Sequence, residues 1–203
     1  MTPRRDRDTP TFTERARRQQ LIDSTIGLIS TRGYPATSLA AIAEDAGISK
    51  AAVLYHFSSK DELTQAALTY VLERFTRFVR DRVDNAPDPR AAVLASVRGM
   101  IEYQRDNRNH VRVITEMLLD DKGGTQLKTP GQHDVGRRWQ TLADLLVAGQ
   151  RAGQFREFDP QVVALAIGGA IDNVVSHWLV HPDLDLDRAA DELEEFTRRA
   201  IDR

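Results

Sequence analysis
A chain of 203 residues is long enough to bury a core as one long domain or two short ones, and its 28 Lys and Arg against 30 Asp and Glu leave a formal charge of −2. It has no cysteine, which excludes disulfides and thiolate metal sites. No apolar run approaches the roughly 18 to 20 residues that span a bilayer, and the opening MTPRRDRDTP lacks the apolar segment of a signal peptide, so a soluble cytoplasmic protein without membrane contact is expected.

The charge is unevenly placed. Residues 1 to 18 hold Arg4, Arg5, Arg7, Arg15, Arg17 and Arg18 against three acids, while residues 183 to 195 hold seven acids against Arg188. A basic start attracts phosphate even in a chain of slightly negative total charge.

Apolar spacing of three and four runs through nearly every segment, with no sustained period-two alternation, so the chain is expected to be all-α. Thr11 and Glu14 fit a capping box, and Leu21, Ile22, Ile26 and Ile29 form the inner face of a first helix ending near Gly33. In SLAAIAEDAGISKAAVLYHF, Ser38 is placed to cap a short helix whose Leu39, Ile42 and Ala43 point inward. Gly47 then supplies a turn, and Ser49 caps a second short helix. Ser59 and Glu62 form another capping pattern, opening a long helix to about Val83 with the stripe Leu63, Ala67, Val71, Phe75 and Phe78. NAPDP, residues 85 to 89, breaks the pattern and reads as a domain boundary. Further helices are expected at about 90–105, 108–120, 132–152, 160–180 and 186–201, with a polar, glycine-containing loop over 120–134.

Two short helices joined by a turn of three or four residues have the geometry of a helix-turn-helix, whose second helix lies in the major groove of DNA. Ser38 and Lys60 are placed to hold phosphates, and Ser49, Lys50, Tyr55 and His56 project from or just beyond the second helix. Thr37 and Ala51 complete the expected DNA-binding set.

The layout of a first helix, SLAAIAEDAGIS, KAAVLYHF and SSKDEL resembles the tetracycline-repressor (TetR) family of transcriptional regulators over residues 11 to 63. The resemblance implies a three-helix DNA-binding domain with an N-terminal arm at 1–62 and a helical ligand-binding and dimerisation domain at 63–203. It further implies a homodimer on a palindromic double-stranded operator, with its last two long helices forming the dimer contact. The fourth helix, taken as the sole link between modules, would turn when a small-molecule effector binds. Departures from the family pattern are Leu54, where an aromatic that reaches phosphate is common, and Ala40, Ala41 and Ala52, where polar residues are frequent. They leave the base-reading surface bare.

Residues 160–180 are apolar on nearly every side, so burial on several sides is expected, with Gly168 and Gly169 permitting close approach of another subunit. Asp172, Asn173, Ser176 and His177 interrupt this helix and need partners. Asp172, Asn173 and His177, with Tyr103, His110, Met117, Trp139 and Leu142, are candidate effector contacts, against ordinary core packing for Met117 and Trp139. Glu116 reads as a surface residue. His177 and His181 alone have helical ligand spacing, a weak metal signal. No metal or other cofactor is expected.

The favoured function is therefore a ligand-responsive repressor and not an enzyme. A metal-assisted helical enzyme is the alternative, although no phosphate loop, nucleophile elbow or metal-binding helix motif supports it. A structural helical dimer without DNA binding is a third reading, suggested by Ala40, Ala41 and Ala52.

Overall fold
The computed structural model describes residues 11–119 and 139–203, the side chains of 118 and 119 excepted. The expected loop at 120–134 and the expected helix start at 132 lie outside the described residues. The described chain is helical: α1 Phe12–Arg32, α2 Leu39–Asp45, α3 Lys50–His56, α4 Lys60–Asp84, α5 Pro89–Asp106, α6 Arg108–Ile114, a π-helical turn Thr115–Leu119, α7 Gln140–Arg151, α8 Pro160–Val180 and α9 Leu186–Ile201. Its only extended pairing among the described residues is an isolated bridge between Phe155 and Asp202.

The helix ends sit where local chemistry puts them. Thr11 and Glu14 make the full capping box, each accepting from the other's backbone N–H. Asp88 accepts from Ala91 N–H at 2.9 Å ahead of Pro89, so NAPDP both ends α4 and starts α5. The Ser59–Glu62 pattern forms only in part. Ser59 accepts from Glu62 N–H at 3.1 Å, but the Glu62 carboxylate reaches past it to the N–H and hydroxyl of Ser58.

The chain packs as two compact units, 11–72 with 109–119 and 73–108 with 139–203. The division therefore runs through α4 and follows neither NAPDP nor residue 62. The expected role of α4 as sole link needs correction too, because the chain also passes between units at 108–109. The physical reason is apolar contact: Val113 and Met117 share a core with Ile26, Ile29, Ala67, Leu68 and Val71. A second core in the same unit joins Leu21, Leu28, Ile42, Val53, Phe57 and Leu63, tying α2 and α3 to α1 and α4.

In the other unit α5 packs against α7 and α9, and Val97, Ile101, Leu146, Ile167 and Ile171 are among its buried side chains. Arg98 bridges α5 to Asp191 and Glu194 of α9 at 2.5 and 2.6 Å, and Arg105 pairs with Asp187. These pairs are partly solvated, so they orient the helices more than they stabilise them. α8 differs from expectation twice. It is long and apolar enough to cross a membrane by length and composition, a test that the core helix of a soluble protein also passes. It is also buried on one face only, through Ala164, Ile167, Gly168, Ile171, Val175 and Trp178, while Val162, Leu165, Ala166, Gly169 and Val180 are exposed. Gly168 accordingly serves the chain's own packing, against Trp139, and only Gly169 lies on the open face.

Candidate nucleic-acid interface
The turn between α2 and α3 is set by its own backbone. Gly47 has φ of 66°, a left-handed conformation at little cost only for glycine. Ile48 N–H bonds to Ala43 C=O at 2.9 Å and Gly47 N–H to Glu44 C=O at 3.1 Å, which closes α2 and redirects the chain. Ser38 and Ser49 each accept at 3.1 Å, from Ala41 N–H and Ala52 N–H. Their hydroxyl protons stay available to donate, so one group can cap a helix and meet a phosphate oxygen.

Three sets of long-range contacts hold this pair of helices or the segments that flank it, and none is visible as a sequence motif. Arg18 donates to His56 C=O and lies 4.0 Å over the Phe57 ring, fixing the end of α3 to α1. Arg18 is thus not part of a free basic arm. Gln20 donates to Ala46 C=O at 3.0 Å. The third centres on Tyr34, just after α1. Its C=O accepts from Lys60 Nζ at 2.8 Å, its hydroxyl donates to Asp61 at 3.1 Å, and its N–H donates to Glu116 at 3.3 Å. Glu116 is half-buried, and the π-helical turn carries it to Gly33 and Tyr34, correcting the expectation of a surface residue. Arg112 adds a bond to Ser30 C=O at 3.1 Å.

Electrostatics follow from this packing. Burial pushes the Lys60 ammonium below the usual lysine range, with Asp61 working the other way. Burial, then the hydrogen bond and charge of Asp61, push the Tyr34 hydroxyl up. The hydroxyl and then the N–H of Ser58 hold Glu62 below the usual carboxylate range.

The expected DNA-binding residues fall into three groups. Ser38, Ser49, Lys50, Ala51 and Tyr55 are exposed on or beside α2 and α3. His56 is half-buried with its ring edge-on to Tyr55 at 5.0 Å, and Lys60 is half-buried with Nζ 3.9 Å from the Tyr34 ring centre. An ammonium has three donors, so Lys60 retains capacity beyond Tyr34. Thr37 departs from the expectation: it is 1% exposed and its hydroxyl donates to Gly33 C=O at 2.9 Å, which shapes the loop into α2.

The expected effector contacts divide between the units. His110, edge-on to Tyr70 at 6.4 Å, and Met117, in the core described above, belong with α1–α3. In the other unit Tyr103 is buried edge-on between Phe75 and Phe78, at 5.3 Å from each. Trp139 and Leu142 are buried, Asp172 is half-buried, and Asn173 and His177 are exposed on α8. The His177 and His181 rings lie 4.3 Å apart, and among the described residues no three His, Asp or Glu gather as a metal site.

A family model described as bacterial regulatory proteins, tetR family, matches residues 21–67. The chain is 40% identical over 185 residues to the HTH-type transcriptional regulator BetI of Burkholderia cenocepacia (strain HI2424), covering 86% of this chain and 95% of that protein. It is 45% identical over 75 residues to the HTH-type nicotine-responsive transcriptional repressor HdnoR of Paenarthrobacter nicotinovorans, covering 37% of this chain and 39% of that one. Among solved structures, a TetR-like transcriptional regulator from Rhodococcus sp. RHA1 matches with TM-score 0.76 and 26% identity, over 95% of this chain and 97% of that chain.

Proposed function
We infer a ligand-responsive repressor from the premise that this chain belongs to the tetR family of bacterial regulatory proteins. The family makes it a DNA-binding transcriptional regulator and not an enzyme. The finer reading is a cytoplasmic homodimer that holds a palindromic operator and releases it when a small molecule binds. The observation that carries the reading is α3, braced from behind by Val53 and Phe57 and capped by Ser49, with Lys50, Ala51, Leu54 and Tyr55 open on its outer side.

Each DNA-binding head would then use residues 11–62. Ser38, Tyr55, His56 and Lys60 hold phosphates, and Ser49 and Lys50 face the groove. Repression is supported by the name of the HdnoR relative, a nicotine-responsive repressor; that ligand is a property of that protein. The effector would sit among the C-terminal helices, with Tyr103, Trp139, Leu142, Asp172, Asn173 and His177 the candidate contacts in that unit. It can shift operator binding only to the extent that it favours one spacing of the two recognition helices.

Selection from random duplexes at moderate salt tests this reading. A pseudo-palindromic sequence should be enriched, and selection of no sequence would overturn sequence-specific regulation. Lys60→Ala should weaken binding to every duplex and lower the slope of log K against log salt by roughly one unit per head, as loss of one phosphate contact requires. An unchanged slope would confine Lys60 to its bond with Tyr34. Lys50→Ala should instead alter sequence preference.

A further inference from the structure
On the outer side of α3, Leu54 is 42% exposed and Tyr55 76% exposed, and Ala51 stands one turn before them. Residues three and four apart share a helix face, so Ala51, Leu54 and Tyr55 form one patch. A single exposed leucine on a protein surface needs no explanation. Its position here does. Among the described residues of 11–72, the exposed large hydrophobic side chains are Phe12, Leu54 and Tyr55, and two of the three are adjacent on the helix proposed to enter the groove.

The same face is poor in hydrogen-bonding groups. Arg or Lys pairs with guanine, and Asn or Gln pairs with adenine, through two hydrogen bonds to the base edge. At 51, 52 and 54 this chain has Ala, Ala and Leu, and the Ser49 oxygen already accepts from Ala52 N–H. The major groove has one apolar feature that such a face can match, the C5 methyl group of thymine.

We propose that Leu54, assisted by Ala51, reads thymine methyl groups in the operator half-site. Sequence preference then comes from methyl contact at Leu54 and from Lys50, and phosphate contacts supply most of the affinity. The proposal rests on the DNA-binding reading above. It predicts half-sites with one or two thymines at fixed positions where the protein is sensitive to the methyl and not to the pairing.

The test uses the full-length protein and a duplex enriched from the random library, with each thymine replaced singly by deoxyuridine. That change removes the methyl and leaves every hydrogen-bonding group in place. At one or two positions per half-site Kd should rise about fourfold, the worth of one buried methyl, and other positions should stay within twofold. Leu54→Ala, exposed and outside the apolar core, should bind the parent and the deoxyuridine duplexes alike, while Lys50→Ala should keep the deoxyuridine penalty. An enriched duplex indifferent to deoxyuridine everywhere overturns methyl reading and leaves the regulator reading standing. A penalty that persists in Leu54→Ala overturns the assignment to Leu54. A library from which nothing is enriched overturns the proposal together with the reading beneath it.

Discussion

Leu165→Glu combined with Phe196→Glu is expected to leave a folded monomer whose operator affinity is about 10²- to 10⁴-fold below that of the parent. The two side chains are 41% and 52% exposed in the isolated chain, on α8 and α9. Neither substitution opens a cavity, so each should cost the fold about 0.5 kcal/mol or less. In a homodimer formed through these helices, the same carboxylates would be buried without partners and would count twice, a penalty of several kcal/mol. Losing the second head removes the effective concentration that makes its binding nearly intramolecular, which sets the size of the affinity loss. Sedimentation and operator titration check both halves. A variant that stays dimeric and binds normally would remove α8 and α9 from the interface and return their exposed apolar face to an unexplained surface.

Gly168→Ala should destabilise the protein by about 2 kcal/mol or more, although alanine is the better helix former. A Cβ at 168 would lie 2.2, 2.4 and 2.6 Å from three atoms of the Trp139 indole. The indole is a rigid bicycle with 6% exposure and cannot bend aside, so the methyl must displace it. Losing the packing of a buried tryptophan costs about 3 kcal/mol or more, and the gain in helix propensity offsets about 1 kcal/mol of that. Gly149→Ala should behave alike, because its Cβ would lie 1.9 Å from the Phe155 ring. Gly27→Ala in α1 has open space around the new methyl and should be neutral or stabilising by up to about 1 kcal/mol. Urea denaturation ranks the three. Tryptophan fluorescence in a Trp178→Phe background should shift to the red for Gly168→Ala, and an unshifted spectrum with unchanged stability would contradict the packing.

What could be read without the fold has a common scale. The caps at Thr11, Ser38 and Ser49 and the turn at Gly47 use partners three to five residues away, so their chemistry lies within one sequence window. α8 and α9 occupy the expected 160–180 and 186–201 because Asp159–Pro160 and Asp185 set their starts locally. Among the candidate DNA-facing residues, Ser38, Ser49, Lys50, Ala51 and Tyr55 are exposed and His56 and Lys60 half-buried, whereas Thr37 is buried. Its hydroxyl donates to Gly33 C=O only four residues back, but that bond fits no cap pattern, and its burial to 1% exposure is set by the packing around the loop.

The contacts that hold the head were not legible. Arg18 to His56, Lys60 to Tyr34 and Glu116 to Tyr34 join residues 38, 26 and 82 positions apart. Arg18 read as one more residue of a basic arm, and Glu116 as a surface acid. Likewise Met117 reads as an apolar side chain from sequence, but which core it joins depends on the path of the chain through α4 and α5 and back.

By itself the sequence determined most of the described helices, the caps that start them, the helix-turn-helix outline and the run of alanine and leucine on α3. These depend on hydrogen bonds and periodicity that close within a few turns of chain. Only the tertiary structure decided that residues 109–119 pack with the head, that Gly168 makes room for Trp139 while Gly169 stays open, and that Lys60 is anchored on Tyr34. Those depend on which apolar surfaces meet when distant segments are buried together, and a side chain's facing is set by the element that arrives opposite it.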